Sequence, residues 1–212
     1  MNGIPKRNYQ KELDQITDAL EKNGEVPRLL LHSCCAPCSS YVLEYLSAYF
    51  EITVYYYNPN IFPPEEYEKR AAEQREFADR LDVLHKISFL EGDYDTDLFY
   101  AETRGLEKEP EGGERCSRCF ELRLRETAKR AREGGFDYFT TTLSISPHKN
   151  ADQLNEIGKK ISEETGIAYL YSDFKKKNGF KRSVELTAQY GMYRQDYCGC
   201  VFSKMEREKS LN

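Results

Sequence analysis

No stretch of about 18 consecutive apolar residues occurs in the chain, and a bilayer-crossing helix needs about that many. The N-terminal residues MNGIPKRNYQKELDQ carry no hydrophobic segment of the secretory type. A cytoplasmic chain with no membrane partner is therefore expected. Internal repeats, linkers and low-complexity stretches are also missing, so residues 1–212 are expected to form one domain. Cysteines, finally, are absent everywhere except in three tight groups: Cys34-Cys35-x-x-Cys38, Cys116-x-x-Cys119 and Cys198-x-Cys200.

Hydrophobic residues make up 39% of the chain and charged residues 32%, enough apolar material for a real core under a strongly charged surface. The net charge of -5 argues against indiscriminate nucleic-acid binding but leaves room for a local basic face. Two segments are candidates. Arg115, Arg118, Arg123, Arg125, Lys129, Arg130 and Arg132 surround and follow the second cysteine pair. Lys175, Lys176, Lys177, Lys181 and Arg182 form a short run around Gly179.

Helical and strand-like stretches alternate. Strands are expected at Val26–His32, Ile52–Tyr57, Val83–Leu90, Phe136–Leu143 and Ile167–Tyr171, from their β-branched and aromatic content. Helices are expected at 8–22, 38–49, 65–81, 97–103, 118–132, 152–165, 183–190 and 202–209. Strands separated by helices predict an α/β fold, Rossmann-like and three-layered, with a mainly parallel sheet. In such sheets ligands bind beyond the carboxyl ends of the strands. The first strand runs directly into His32-Ser33-Cys34-Cys35, and the fourth into Ser144-Ile145-Ser146-Pro147-His148-Lys149. A cysteine-rich metal site is thus expected at the C-terminal ends of the strands.

The turn after the first strand contains no glycine, which disfavours a phosphate cradle there. It contains thiols instead, at a helix N-terminus whose partial positive charge favours thiolate. Cys116 and Cys119 have the spacing that puts two sulfurs on one side of a helical turn. Gly199 between Cys198 and Cys200 permits close backbone approach. An odd number of cysteines cannot pair fully into disulfides. A structural zinc site would use four of the seven, and a dithiol redox pair two. Iron–sulfur chemistry uses them more completely: a [4Fe-4S] cluster plus an additional mononuclear iron. Because neighbouring side chains diverge, Cys34 and Cys35 are expected to serve different metals. One partition puts Cys35, Cys38, Cys116 and Cys119 on the cluster, and Cys34, Cys198 and Cys200 on the second iron. A three-cysteine cluster with an open iron is the alternative.

Four motifs, HSCCAPC, GERCSRCFELRL, TTTLSISPHKN and YRQDYCGC, together resemble the epoxyqueuosine reductases of the QueH type. They run from residue 32 to residue 200, most of the chain. The resemblance implies two-electron removal of the epoxide oxygen from epoxyqueuosine at the wobble position of tRNA, the last step to queuosine. It implies tRNA as partner and an external electron donor of the ferredoxin or flavodoxin kind. The open iron would act as a Lewis acid, and a nearby acid would protonate the departing oxygen. Asp196, Tyr197 and His148 are the candidate proton donors, with Tyr193 a further one. His32 is read as support or packing behind the cysteines, with ligation as the alternative. Lys149 and Ser144–Ser146 are candidates to grip ribose or phosphate, and Tyr56, Tyr57 and Phe62 to stack on bases. Two rival readings are a cluster-bearing tRNA thiolation enzyme, which would want a Gly-rich ATP loop after the first strand, and a zinc-stabilised RNA-binding protein.

Overall fold

The first strand, β1 (Arg28–His32), shows how the sheet is covered. Leu29 and Leu31 enter one apolar layer, and Leu30 enters the opposite one. Alternation into two buried layers marks a strand with helices on both faces. The computed structural model describes residues 7–211, so Met1–Lys6, part of the stretch read for a leader, lie outside it. The other strands are β2 (Glu51–Tyr56), β3 (Ile87–Glu91), β4 (Tyr138–Thr141) and β5 (Ala168–Tyr169). All pairings are parallel, in the order β3-β2-β1-β4-β5.

The helices are α1 (Tyr9–Asn23), α2 (Ala36–Leu46), α3 (Pro64–Arg80), α4 (Thr96–Glu102), α5 (Glu114–Glu133), α6 (Ala151–Thr165), α7 (Gly179–Gln189) and α8 (Val201–Lys209). On one face, Leu13 and Leu20 of α1, Val42, Leu43 and Leu46 of α2, and Phe77 of α3 pack with Ile52 and Val54. On the other, Leu124 and Ala128 of α5 and Ile161 of α6 pack with Tyr55, Phe139 and Tyr169. Helix α7 begins hard against α2. A Cβ on Gly179 would lie 2.0 Å from the Phe174 carbonyl oxygen and 2.4 Å from the Tyr41 ring, so only glycine fits.

The α/β three-layer expectation holds, with several boundaries shifted, four of them instructive. Residues 83–86 are not strand: β3 begins where Ile87 pairs with Ile52, one residue after the start of β2, so residues 83–85 would run past the end of β2. Helix α5 starts at Glu114, four residues before the expected Arg118, and so contains Cys116 and Cys119. Strand β4 stops at Thr141, whose hydroxyl accepts from Leu143 N and turns the chain into a 3-10 helix, Thr142–Ile145. Strand β5 is only two residues long.

The chain builds outward from β1 to β3, then crosses back to β4 on the other side of β1. The crevice at this reversal, between the C-terminal ends of β1 and β4, is where open α/β sheets bind ligands. No described helix is long and apolar enough to cross a membrane.

Candidate metal centre

Each cysteine group sits at the start of a helix. Cys35 holds the cap position of α2 with an extended backbone, and Pro37 follows in the first turn. Cys116 and Cys119 lie in the opening turns of α5, and Gly112 N donates to Cys116 Sγ at 3.2 Å. Cys200 caps α8, its Sγ accepting from Ser203 N at 3.4 Å. Three helix N-termini thus present partial positive charge and free N–H groups to thiols. Gly199 has φ of 138° and packs against Ile61 and Arg70, as the close approach expected there requires.

All seven cysteines are free. The sulfurs of Cys34, Cys35 and Cys38 lie within 4.8 Å of one another, a group that could hold a metal ion. The Cys34 and Cys35 sulfurs are 3.8 Å apart, so these neighbouring side chains converge rather than diverge. The convergence occurs in the strand-to-helix turn, where Cys35 caps α2 and both sulfurs are buried. Cys116, Cys119, Cys198 and Cys200 line one small buried cavity with Arg115, Phe120 and Arg123. Cys34, Cys35 and Cys38 thus form one close group and the other four line a neighbouring cavity, with Cys198 also reaching the space beside Cys34 and Cys38.

The charges around the thiols fit metal ligation. Arg123 is 1% exposed, and no described carboxylate pairs with it. Its Nε donates to the Cys119 carbonyl (3.1 Å) and its Nη1 to Asn58 Oδ1 (3.5 Å), while Nη2 has no partner. Arg70, also buried, donates to Glu66 (2.7 Å) and to the Cys198 carbonyl (3.1 Å), again with Nη2 unpartnered. A buried guanidinium without a carboxylate needs another anion nearby, and thiolates supply it. Hydrogen bonds from Cys35 and Cys38 pull the Cys34 thiol well below the ordinary range. The same contact pushes Cys35 up to about 12, and burial does so for Cys119. Burial opposes the charge on Lys149, but Cys198, 3.1 Å from its Nζ, outweighs it and the ammonium is held on more strongly than usual.

Beyond the trio opens a cavity of about 600 Å³, lined by Cys34, Cys38 and Cys198 and by His148, Lys149, Asp196 and Tyr197 among others. This volume is within the usual range for a small-molecule site. All three expected proton donors therefore face the same space as three of the thiols. Asp196 accepts from Arg207 at 3.2 Å, and the Tyr197 hydroxyl donates to the Phe62 carbonyl at 2.7 Å. Burial pushes Tyr197 up to about 12. His148 is exposed.

Other expectations change. Both nitrogens of His32 are engaged, with Thr141 Oγ1 (2.9 Å) and the Tyr57 carbonyl (3.2 Å), so it supports the turn and has no free donor for a metal. Burial lowers its pKa to about 3. Tyr56 and Tyr57 are buried, Tyr56 tilted against Tyr67 and stacked on Phe89 and Tyr57 stacked on Tyr55, so they are core rather than base platforms. Ser144 is buried against Ser172 (3.2 Å), while Ser146 reaches the cavity. Two residues escaped the sequence reading. Gln195 donates to Cys35 Sγ at 2.7 Å, a contact between segments far apart in sequence. Arg123 had been counted only as part of a basic helix, although its position four residues after Cys119 hinted at the inward face.

A family model described as "Epoxyqueuosine reductase QueH" matches residues 29–206, which contain all four cysteine and turn motifs. The chain belongs to the QueH family. Proteins named epoxyqueuosine reductase QueH from Streptococcus pyogenes serotype M1 and Staphylococcus epidermidis are each 46% identical to it. The first match covers 96% of this chain and 80% of the relative, the second 95% and 87%. The QueH protein of Thermotoga maritima is 37% identical over 85% of this chain and 92% of its own length.

Proposed function

We propose that this chain is an epoxyqueuosine reductase, an oxidoreductase of queuosine biosynthesis acting on tRNA in the cytoplasm. Two electrons and two protons enter, both C–O bonds of the epoxide break, a carbon–carbon double bond forms, and the oxygen leaves as water. The observation that carries this reading is the cavity of about 600 Å³ where Cys34, Cys38 and Cys198 meet Lys149 and the expected proton donors at the sheet reversal.

The seven thiols would hold a [4Fe-4S] cluster and a second iron. Sulfur proximity supports the trio Cys34, Cys35 and Cys38 as one ligand set, and the cavity lined by Cys116, Cys119, Cys198 and Cys200 makes those four the other. Three thiolates leave a tetrahedral metal one position short, and Cys34 and Cys38 line the cavity, so the trio suits the metal with an open position. Bound there, the metals supply single-electron transfer from a ferredoxin- or flavodoxin-like donor and Lewis acidity toward the epoxide.

The remaining roles fall to side chains. Lys149 keeps its proton and fixes a positive charge over Cys198. Gln195 orients Cys35. Of the three proton donors, Asp196 is tied to Arg207 and Tyr197 to the Phe62 carbonyl, so the exposed His148 is best able to move a proton to the departing oxygen. Asp196 and Tyr197 then shape the cavity wall.

Anaerobic purification with metal analysis, followed by turnover of epoxyqueuosine tRNA with a low-potential reductant, tests the proposal. A brown protein absorbing near ~400 nm that forms queuosine is expected. A colourless zinc protein with no turnover would sink it.

A further inference from the structure

The wall of the thiol-lined cavity is shared. Lys149 also lines a second cavity, of about 680 Å³, together with Arg7, Lys11, Lys175, Lys176 and Lys177. The carboxylates on this wall are Asp14, Asp152 and Asp173, so six cations face three anions in a chain of net charge -5. Asp14 pairs with Lys177 (2.7 Å), Asp173 with Lys175 (2.5 Å), and Arg7 with Glu12 (2.6 Å). Lys11 and Lys176 stand exposed on the surface. Asn8 with Tyr9 and Asn150 with Ala151 also line the cavity, so the starts of α1 and α6 add their N-terminal partial charge.

The other basic segment has a different fate. On α5, Arg118 pairs with Glu114, Arg125 with Glu121 and Glu164, Lys129 with Glu126, and Arg130 with Glu133. Arg115 and Arg123 are buried. Apart from Arg132, the exposed cations of α5 are thus paired with glutamates, whereas the second cavity, where Lys149 has Glu111 at 4.0 Å, keeps Lys11 and Lys176 exposed without a salt bridge among the described residues and adjoins the reaction site.

We infer that this second cavity is the phosphate track for the RNA substrate: it holds the backbone flanking the modified nucleotide whose base enters the thiol-lined cavity. The inference rests on the reading of the substrate as tRNA. Single-stranded loops let a base turn out while phosphate contacts fix the register. Lys11 and Lys176 touch phosphates, and Lys149 sits where backbone gives way to base.

Binding of a fluorescent tRNA anticodon stem–loop, measured by anisotropy over a range of salt concentrations, tests this without turnover. The double variant Lys11→Glu/Lys176→Glu should bind at least about tenfold more weakly, with a salt slope shallower by about 1.4, two single-strand phosphates' worth. Lys129→Glu/Arg132→Glu on α5 changes net charge equally and should bind like the parent. Melting temperature and metal content report whether each variant is intact. Unchanged affinity and slope in the groove variant, or an equal loss in the α5 variant, would overturn the assignment. A parent that binds through the groove but reduces no epoxide would instead refute the activity reading and leave the groove standing.

Discussion

Replacing Arg123 with methionine should affect the metal-free and metal-loaded protein differently. In the metal-free protein burial pushes the neighbouring Cys119 up to about 12, while Cys34 is pulled low, so the buried guanidinium faces fewer thiolates than it would in the loaded protein. Arg123→Met gives up two hydrogen bonds, to the Cys119 carbonyl and Asn58, each worth about 1 kcal/mol. It also removes an under-paired buried cation, which typically offsets losses of about 1–4 kcal/mol. The metal-free variant should therefore melt close to the parent. In the loaded protein the thiolates lose a buried counter-charge, a change of about 3–5 kcal/mol. At about 1.4 kcal/mol per decade, metal affinity should fall by roughly two to nearly four decades. Anaerobic chelator competition, followed by cluster absorbance, reads the affinity, and paired melting curves read the two forms. Equal destabilisation of both forms, or unchanged metal retention, would refute the counter-charge argument.

Cys198→Ser should abolish turnover while circular dichroism stays parent-like, since Cys198 lies in a loop outside the sheet; full activity would remove it from the site. Gly179→Ala forces a methyl onto the Phe174 carbonyl and should cost about 3 kcal/mol or more in denaturant titration. Asp14 resists the upward push of burial through Lys177, Gln10 and Tyr45, and its pKa lies below the ordinary value. Its contribution should be present above about pH 4 and fade as pH falls through the lowered pKa, less than about 1 kcal/mol for so exposed a pair. Asp14→Asn should flatten that part of the acid limb of the stability curve.

The layered fold was legible because Leu29, Leu30 and Leu31 form one short apolar run in a chain of alternating helical and strand-like stretches, the pattern of a strand covered on both faces. The address of the first cysteine group followed from the same logic. The convergence of Cys34 and Cys35 was not legible, because spacing alone does not fix where two adjacent side chains point in the turn between β1 and α2. Nor was the burial of Tyr56 and Tyr57: an aromatic in a strand reads alike whether it meets Tyr67 or a nucleobase. The basic run on α5 misled for a related reason. Charge is visible in sequence, but the glutamates one turn away that neutralise it matter only once the helix exists.

With the cysteine groups at the starts of α2, α5 and α8, metals held by them would also act as a cross-link. The stretches from Cys38 to Cys116 and from Cys119 to Cys198 are each about 80 residues long, and pinning a loop of that size restricts the unfolded chain by about 4–5 kcal/mol. The segment leading into α8 contributes no strand and is otherwise held by scattered ties: Phe62 N to the Gly199 carbonyl (2.8 Å), Arg70 to the Cys198 carbonyl, Arg115 to Glu206, and Phe202 against Phe99. Stripping the metals should loosen this C-terminal arm before the sheet opens. Limited proteolysis should then cut first within residues 191–211, making susceptibility of the tail a direct gauge of how fully the thiols are loaded.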